Sequence, residues 1–120
     1  MSKNKDTSYS KGLRAEHYAA WYLRFKGYKI LARRYKTRKG EVDIIAKRGK
    51  VIAIIEVKAR KDLEMAKQAI TYRGAKRILA AARYWLYKQG DLSRFKIRFD
   101  VVFICPRHFP IHIKDYFLLY

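Results

Sequence analysis

Apolar and polar positions along the 120 residues follow two periods, one helical and one extended. From about Ser10 or Gly12 to Lys26 the spacing is helical, with Gly27 as the C-terminal stop. Glu16, the one acid of this helix, shares an arc with Ala19, Ala20 and Leu23, at spacings of three, four and seven. The arc is small and apolar, the face expected to pack on a sheet. Tyr28 to Thr37 reads as a strand whose apolar part is Ile30 and Leu31. A β-hairpin spans about Glu41 to Lys58, its turn signalled by Arg48-Gly49. A polar connection, Ala59 to Met65, leads into one long helix from about Lys67 to Lys88. Its apolar stripe is Ile78, Leu79, Ala82, Trp85 and Leu86, and Gly74, which costs about 1 kcal/mol relative to alanine, marks either close packing or a later start of the helix. Phe95 to Ile104 alternates as a strand, and Val101 to Ile104 is apolar on both faces, the mark of a central position. Pro106 and Pro110 bracket a turn before a short strand, Ile111-His112-Ile113, and an apolar segment, Asp115 to Tyr120, expected to dock on the body.

Alternation within the hairpin places Glu41, Asp43 and Ile45 on one face of its first strand. Ile52, Ile54, Glu56 and Lys58 share one face of the second. A two-residue or four-residue loop pairs Ala46 with Val51, Asp43 with Ile54 and Glu41 with Glu56. Asp43 then lies diagonal to Glu56, with Cβ atoms roughly 7–8 Å apart or less, and one divalent ion fits between the carboxylates. A three-residue loop would put the two acids on opposite faces.

Length predicts one domain, 10–120, preceded by a mobile polar tail, 1–9. No apolar run approaches the ~18 residues of a membrane span. The N-terminus lacks the apolar region of a signal peptide. Cys105 stands alone, which excludes an intrachain disulfide and fits a small buried apolar residue in a reducing compartment. A cytoplasmic location is expected. No histidine, cysteine and acid spacing fits zinc.

Charge changes the picture most. With 29 Lys and Arg against 10 Asp and Glu, the formal net charge is +19. Such a surface collects polyanions, nucleic acid first among them. Arg33, Arg34, Lys36, Arg38 and Lys39 form a solvated edge or a phosphate track into the hairpin. Arg60 follows the hairpin, and the long helix carries Arg73, Lys76 and Arg77 with Tyr84 and Tyr87 on its outer face. Against this background three of the ten acids gather in the hairpin. Carboxylate oxygens there suit Mg²⁺ or Mn²⁺, which acidifies water beside a phosphodiester. Lys58 either neutralises Glu56 or serves a phosphate. Glu16 is either an ion-pair partner of nearby cations or a third acid aimed at the hairpin. Asp100 is a further acid or, more in keeping with its neighbour, the partner of Arg98.

The helix with Glu16, Gly40-Glu41-Val42-Asp43-Ile44-Ile45-Ala46 and Glu56-Val57-Lys58-Ala59-Arg60 resemble the PD-(D/E)xK nuclease superfamily, which includes restriction endonucleases and Holliday-junction resolvases. More closely, with Gly12, Ala15-Glu16, Gly27-Tyr28 and Arg98-Phe99-Asp100-Val101-Val102, the chain resembles the YraN-like family of small bacterial proteins. The resemblance implies an α/β, restriction-endonuclease-like fold, a mixed central sheet flanked by helices. It implies a Mg²⁺- or Mn²⁺-dependent endonuclease acting on DNA, possible dimers and branched substrates, or a nucleic-acid binding module that keeps the fold without turnover. It assigns metal binding to Glu16, Asp43 and Glu56 and catalysis to Asp43, Glu56 and Lys58, with Glu41 accessory. The superfamily's proline before the aspartate is Val42 here, as in many members, and two further positions depart from the family pattern. An asparagine before the GEVD segment is Arg34 here, and a lysine early in the second helix falls at Gly74, where Gln68 or Lys76 would substitute. The aromatics of the first helix and of Tyr116 to Tyr120 are the candidate dimer faces.

Overall fold

The computed structural model describes residues 8–116. Residues 1–7 of the expected tail and 117–120 of the expected docking segment lie outside the described residues. The elements are α1 (Ser8–Phe25), β1 (Lys29–Thr37), β2 (Gly40–Arg48), β3 (Val51–Ala59), α2 (Leu63–Gln68), α3 (Tyr72–Lys88), β4 (Lys96–Ile104) and β5 (Ile111–Ile113). The strands form one sheet in the order β1-β2-β3-β4-β5. β3 and β4 are parallel, joined by the helical crossover, and the other neighbours are antiparallel. The result is a mixed, three-layer α/β domain.

The two faces of the sheet have different covers. On one, Ala19, Ala20 and Leu23 of α1 pack on Ile44, Ala46, Ala53, Ile55 and Val102. On the other, Ala75, Ile78, Ala82 and Trp85 of α3 pack on Ile45, Ile52, Ile54, Phe99, Val101 and Phe103. The arc expected around Glu16 is therefore the buried arc, and it carries Glu16 itself to 4% exposure. α1 stops as its sequence requires. Gly27 has φ +93°, its N–H donates to the Arg24 carbonyl at 3.0 Å, and the Tyr28 N–H donates to that of Leu23 at 2.9 Å.

Two expectations are corrected. The single helix 67–88 is two helices, because Thr71 is extended and its hydroxyl accepts the Gly74 N–H at 3.0 Å, capping a new start. The hairpin register is shifted by two residues. Arg48 pairs with Val51 and Ile44 with Ile55, leaving Gly49-Lys50 as the loop. Gly49 has φ +58° at the first loop position, which is where a II′-type hairpin turn places its glycine. An even shift preserves faces, so Ile45, Ile52 and Ile54 still share a layer. It changes partners, however. Glu41 no longer faces Glu56; it is exposed and 4.0 Å from Lys36.

Candidate active site

The last β2–β3 pair is Ile44 with Ile55. One step further the strands part, and Asp43 and Glu56 meet at the fork. The Asp43 carboxylate takes the place of a ladder partner: its Oδ2 accepts the Val57 N–H at 2.8 Å. The Asp43 side chain is near enough to Glu56 to act on its carboxyl group. Lys58 Nζ lies 3.0 Å from Glu56 Oε2, and both side chains are largely buried. Asp43 is thus opposite Glu56 rather than diagonal to it, a closer approach than the expected register allowed.

A local break in alternation makes this possible. Arg33 pairs with Ile44, on the α1 face, whereas Tyr35 pairs with Val42, on the α3 face. Strict alternation would keep both pairs on one side. The residue between them in β1, Arg34, has φ +50°, a conformation uncommon for a long side chain and better tolerated by asparagine. This backbone explains why an asparagine suits the position that Arg34 occupies. It also turns two neighbouring arginines to the same side. Glu16 Oε1 accepts from Arg33 at 3.3 Å, and Glu16 Oε2 lies 3.8 Å from Arg34.

Glu16 therefore takes the ion-pair alternative, and the expected convergence of three acids on one point is corrected. Among the described residues no three His, Cys, Asp or Glu side chains are grouped to hold one ion. Glu16 nevertheless lies within electrostatic reach of Asp43. Burial and then the Asp43 charge raise its pKa, against the opposing pull of Arg33 and Arg34. The Nε of Arg33 is buried without a partner, so this cation is not fully engaged.

Burial, then the adjoining Asp43, raise the Glu56 carboxyl to about 8, with Lys58 opposing. Two carboxyl groups in contact, one of them destabilised as an anion, form a donor set that a divalent cation fits. Magnesium commonly binds through one or two carboxylates and completes its shell with water and substrate phosphate. Asp43 and Glu56 are the residues that would hold it.

The raised pKa carries a sign. Glu56 contributes stability that is fully present below about 4.5 and is lost as pH rises through about 8. Glu56→Gln, which stays neutral, is expected to be the more stable protein at pH 8.5 in EDTA, by about 1–2 kcal/mol. The gain is limited because Lys58 loses its ionic partner. The difference should shrink towards pH 5, and thermal melts at the two pH values check it.

The other expected residues scatter. Lys36, Arg38, Lys39, Arg60, Arg73, Lys76 and Arg77 are all exposed. Lys36, Arg38 and Lys39 line a groove of about 510 Å³ with Ala80 and Tyr84 of α3. Arg34, expected to touch nucleic acid, is half-buried beside Glu16 instead. Gln68 is exposed at the end of α2, and Lys76 lies over the Tyr72 ring.

Asp100 is the partner of Arg98, as expected, with Arg98 Nε and Nη2 each 2.8 Å from its two oxygens. Sequence reasoning missed the rest of that cluster. His112 Nε2 is 2.8 Å from Asp100 Oδ2, Lys26 Nζ is 2.9 Å from His112 Nδ1, and Arg98 donates to the Tyr28 hydroxyl at 2.7 Å. With Lys26 donating to Nδ1, the imidazole proton lies on Nε2. The network ties the C-terminal end of α1, and so the helix that carries Glu16, to β4 and β5.

This sheet order, the helical crossover between parallel β3 and β4, and the acid, turn, acid-x-lysine hairpin define an α/β domain of restriction-endonuclease-like architecture. The chain belongs to the uncharacterised protein family UPF0102, the YraN family, which matches residues 15–104. It is similar to a UPF0102 protein of Chelativorans sp., 46% identical over 112 residues, which cover 93% of this chain and 90% of the relative. A UPF0102 protein of Bartonella bacilliformis is 46% identical over 117 residues, 98% and 96% of the two chains. One of Brucella canis is 44% identical over 117 residues, 98% and 93%.

Proposed function

We propose that the protein binds nucleic acid, DNA in preference to RNA, and hydrolyses its backbone as a Mg²⁺- or Mn²⁺-dependent endonuclease. The observation that carries this reading is the Asp43–Glu56 carboxyl pair with Lys58 at 3.0 Å from Glu56, set into a chain of net charge +19. A divalent ion supplies acidified water and offsets charge on the phosphate in flight. Asp43 and Glu56 hold and orient it. The Val57 N–H fixes one Asp43 oxygen, so the rotamer is set before substrate arrives. Lys58 stabilises a phosphate oxygen or orients the attacking water. Glu16 acts from behind, holding Arg33 and Arg34 in place. Lys36, Arg38, Lys39, Arg73, Lys76 and Arg77 bind the flanking phosphates, a term that weakens with salt. Work on DNA in this form belongs to the cytoplasm. A homodimer would present two such sites to a branched substrate, and Trp21 and Phe25, exposed on α1, are available for that contact.

A second reading, a binding module without turnover, is favoured by one observation: Glu16 is committed to arginines rather than to the acid pair. Cleavage assays on single-stranded, duplex and branched DNA with Mg²⁺ or Mn²⁺ separate the two. Wild type is expected to cut, and Asp43→Asn to lose about 100-fold or more in rate while binding DNA as before. Salt-sensitive binding with no cutting of any substrate by wild type would sink the nuclease reading and leave the module.

No helix among the described residues is long and apolar enough to cross a membrane.

A further inference from the structure

A cavity of about 1000 Å³ opens between α1 and the C-terminal ends of the parallel strands β3 and β4. Its lining is adjacent in sequence to Glu16 and Lys58, although none of Glu16, Asp43, Glu56 and Lys58 lines it. Arg14 and Ala15 precede Glu16, and Ala59, Arg60 and Lys61 follow Lys58. The rim carries Lys11, Arg14, Arg60, Lys61 and Arg107, and no acid is among the residues that line it. The floor is apolar: Ala15, Ala59, Ile104 and Cys105. Tyr18 and Phe109 stand at its sides.

Two features of the 105–110 turn stand out. Phe109 is 83% exposed, although it sits between residues that anchor the turn, with Pro110 buried behind it. Arg107 has φ +67° after Pro106, and the His108 N–H donates to the Cys105 carbonyl at 3.3 Å. That is a proline-led turn whose third position favours glycine or asparagine. An arginine there holds a strained backbone, and such strain clusters at binding sites.

Cations around an apolar slot with two aromatic walls match a nucleotide: ring in the slot, phosphates on the rim. A bare phosphate track would need no apolar floor, and an apolar ligand would need no ring of cations. We propose that this cavity seats an unpaired nucleotide of the bound strand, its base against Tyr18 and Phe109 and its phosphates on Arg14, Arg60, Lys61 and Arg107. The proposal rests on the nucleic-acid reading above and narrows it. The bound nucleic acid is then a strand that offers a base free of pairing.

The test is fluorescence anisotropy in EDTA, where no cleavage enters, with a labelled single strand, its duplex and a strand of abasic sugar-phosphate units. Phe109→Ala removes an exposed ring, and Arg107→Gly relieves the turn, so both should melt at or above the wild-type temperature. Phe109→Ala is expected to weaken single-strand binding about 5- to 100-fold, and duplex or abasic binding by less than about twofold. Arg107→Gly should weaken single-strand binding and reduce its salt dependence. Phe25→Ala, an equally exposed aromatic on α1 outside the cavity, should leave the single-strand preference unchanged. Equal losses on all three DNAs, or none with Phe109→Ala, would overturn the pocket. Wild type that binds no DNA would overturn the nucleic-acid reading beneath it. Binding with the selective loss but no metal-dependent cutting would retain the pocket and remove only the nuclease.

Discussion

Gly40→Ala is expected to lower stability by about 3 kcal/mol, a fall in melting temperature on the order of 10 °C or more. A Cβ built on Gly40 would lie 1.9 Å from the Arg77 carbonyl oxygen and 2.6 Å from its carbon. Both are helix backbone, so no side chain can swing aside. Either β2 or α3 must move, and the packing of Val42 and Ile45 on α3 moves with it. Lys39 shares a groove with Tyr84 of α3, so surviving Gly40→Ala protein should also bind DNA less well. Gly74→Ala is the control. Its Cβ would meet only the Thr71 hydroxyl, at 3.1 Å, while the helix gains up to about 1 kcal/mol of propensity. Chemical denaturation of the two variants should therefore separate them widely: near-neutral for Gly74→Ala, severe for Gly40→Ala.

Asp100→Ala should be at least as damaging, by about 3–5 kcal/mol, because it strands buried partners rather than merely removing a contact. Asp100 is fully buried and accepts from Arg98, His112 and the Asp115 N–H. Burial pushes its pKa up, yet the hydrogen bonds from His112, Arg98 and Asp115 outweigh that and hold it at about 2. The folded pKa is therefore below the unfolded value of 3.8. The stability it contributes is complete above about pH 4 and is lost as pH falls towards 2, a term of roughly 2 kcal/mol. Wild type should lose stability across that window in acid titrations followed by circular dichroism. Asp100→Ala should start lower and fall less. Since the network anchors the end of α1, any folded Asp100→Ala protein should also show faster amide exchange in that helix.

Much of the fold was legible because the chain states its periods plainly. The arc of Glu16, Ala19, Ala20 and Leu23, the stop at Gly27, and the all-apolar Val101 to Ile104 each follow from local spacing and appear where that spacing puts them. The errors share one cause, a local signal outweighed by a cap or a turn. Thr71 starts α3 afresh where the apolar stripe alone reads through, and Gly49 at the first loop position shifts the hairpin by two residues. The candidate site was legible as a set of residues and not as a geometry. Nothing in the order of letters shows that Arg34 takes φ +50°, that Glu16 is met by two arginines, or that Lys26 and His112 close a network on Asp100. Phe109 between two prolines was the available hint of the cavity, and it went unread.

By itself the sequence determined which elements form, which faces are apolar, the cationic character of the surface, and the gathering of Asp43, Glu56 and Lys58 in one hairpin. Those follow from composition and from periods of two and 3.6, which act within a few residues. Only the tertiary structure decided the partners. It put Asp43 opposite Glu56 at a fork, committed Glu16 to arginines, and opened a basic cavity, with Tyr18 and Phe109 in its lining, between α1 and the ends of β3 and β4. These depend on contacts between segments far apart in the chain, where distance and burial, rather than residue type, determine what a charge can do.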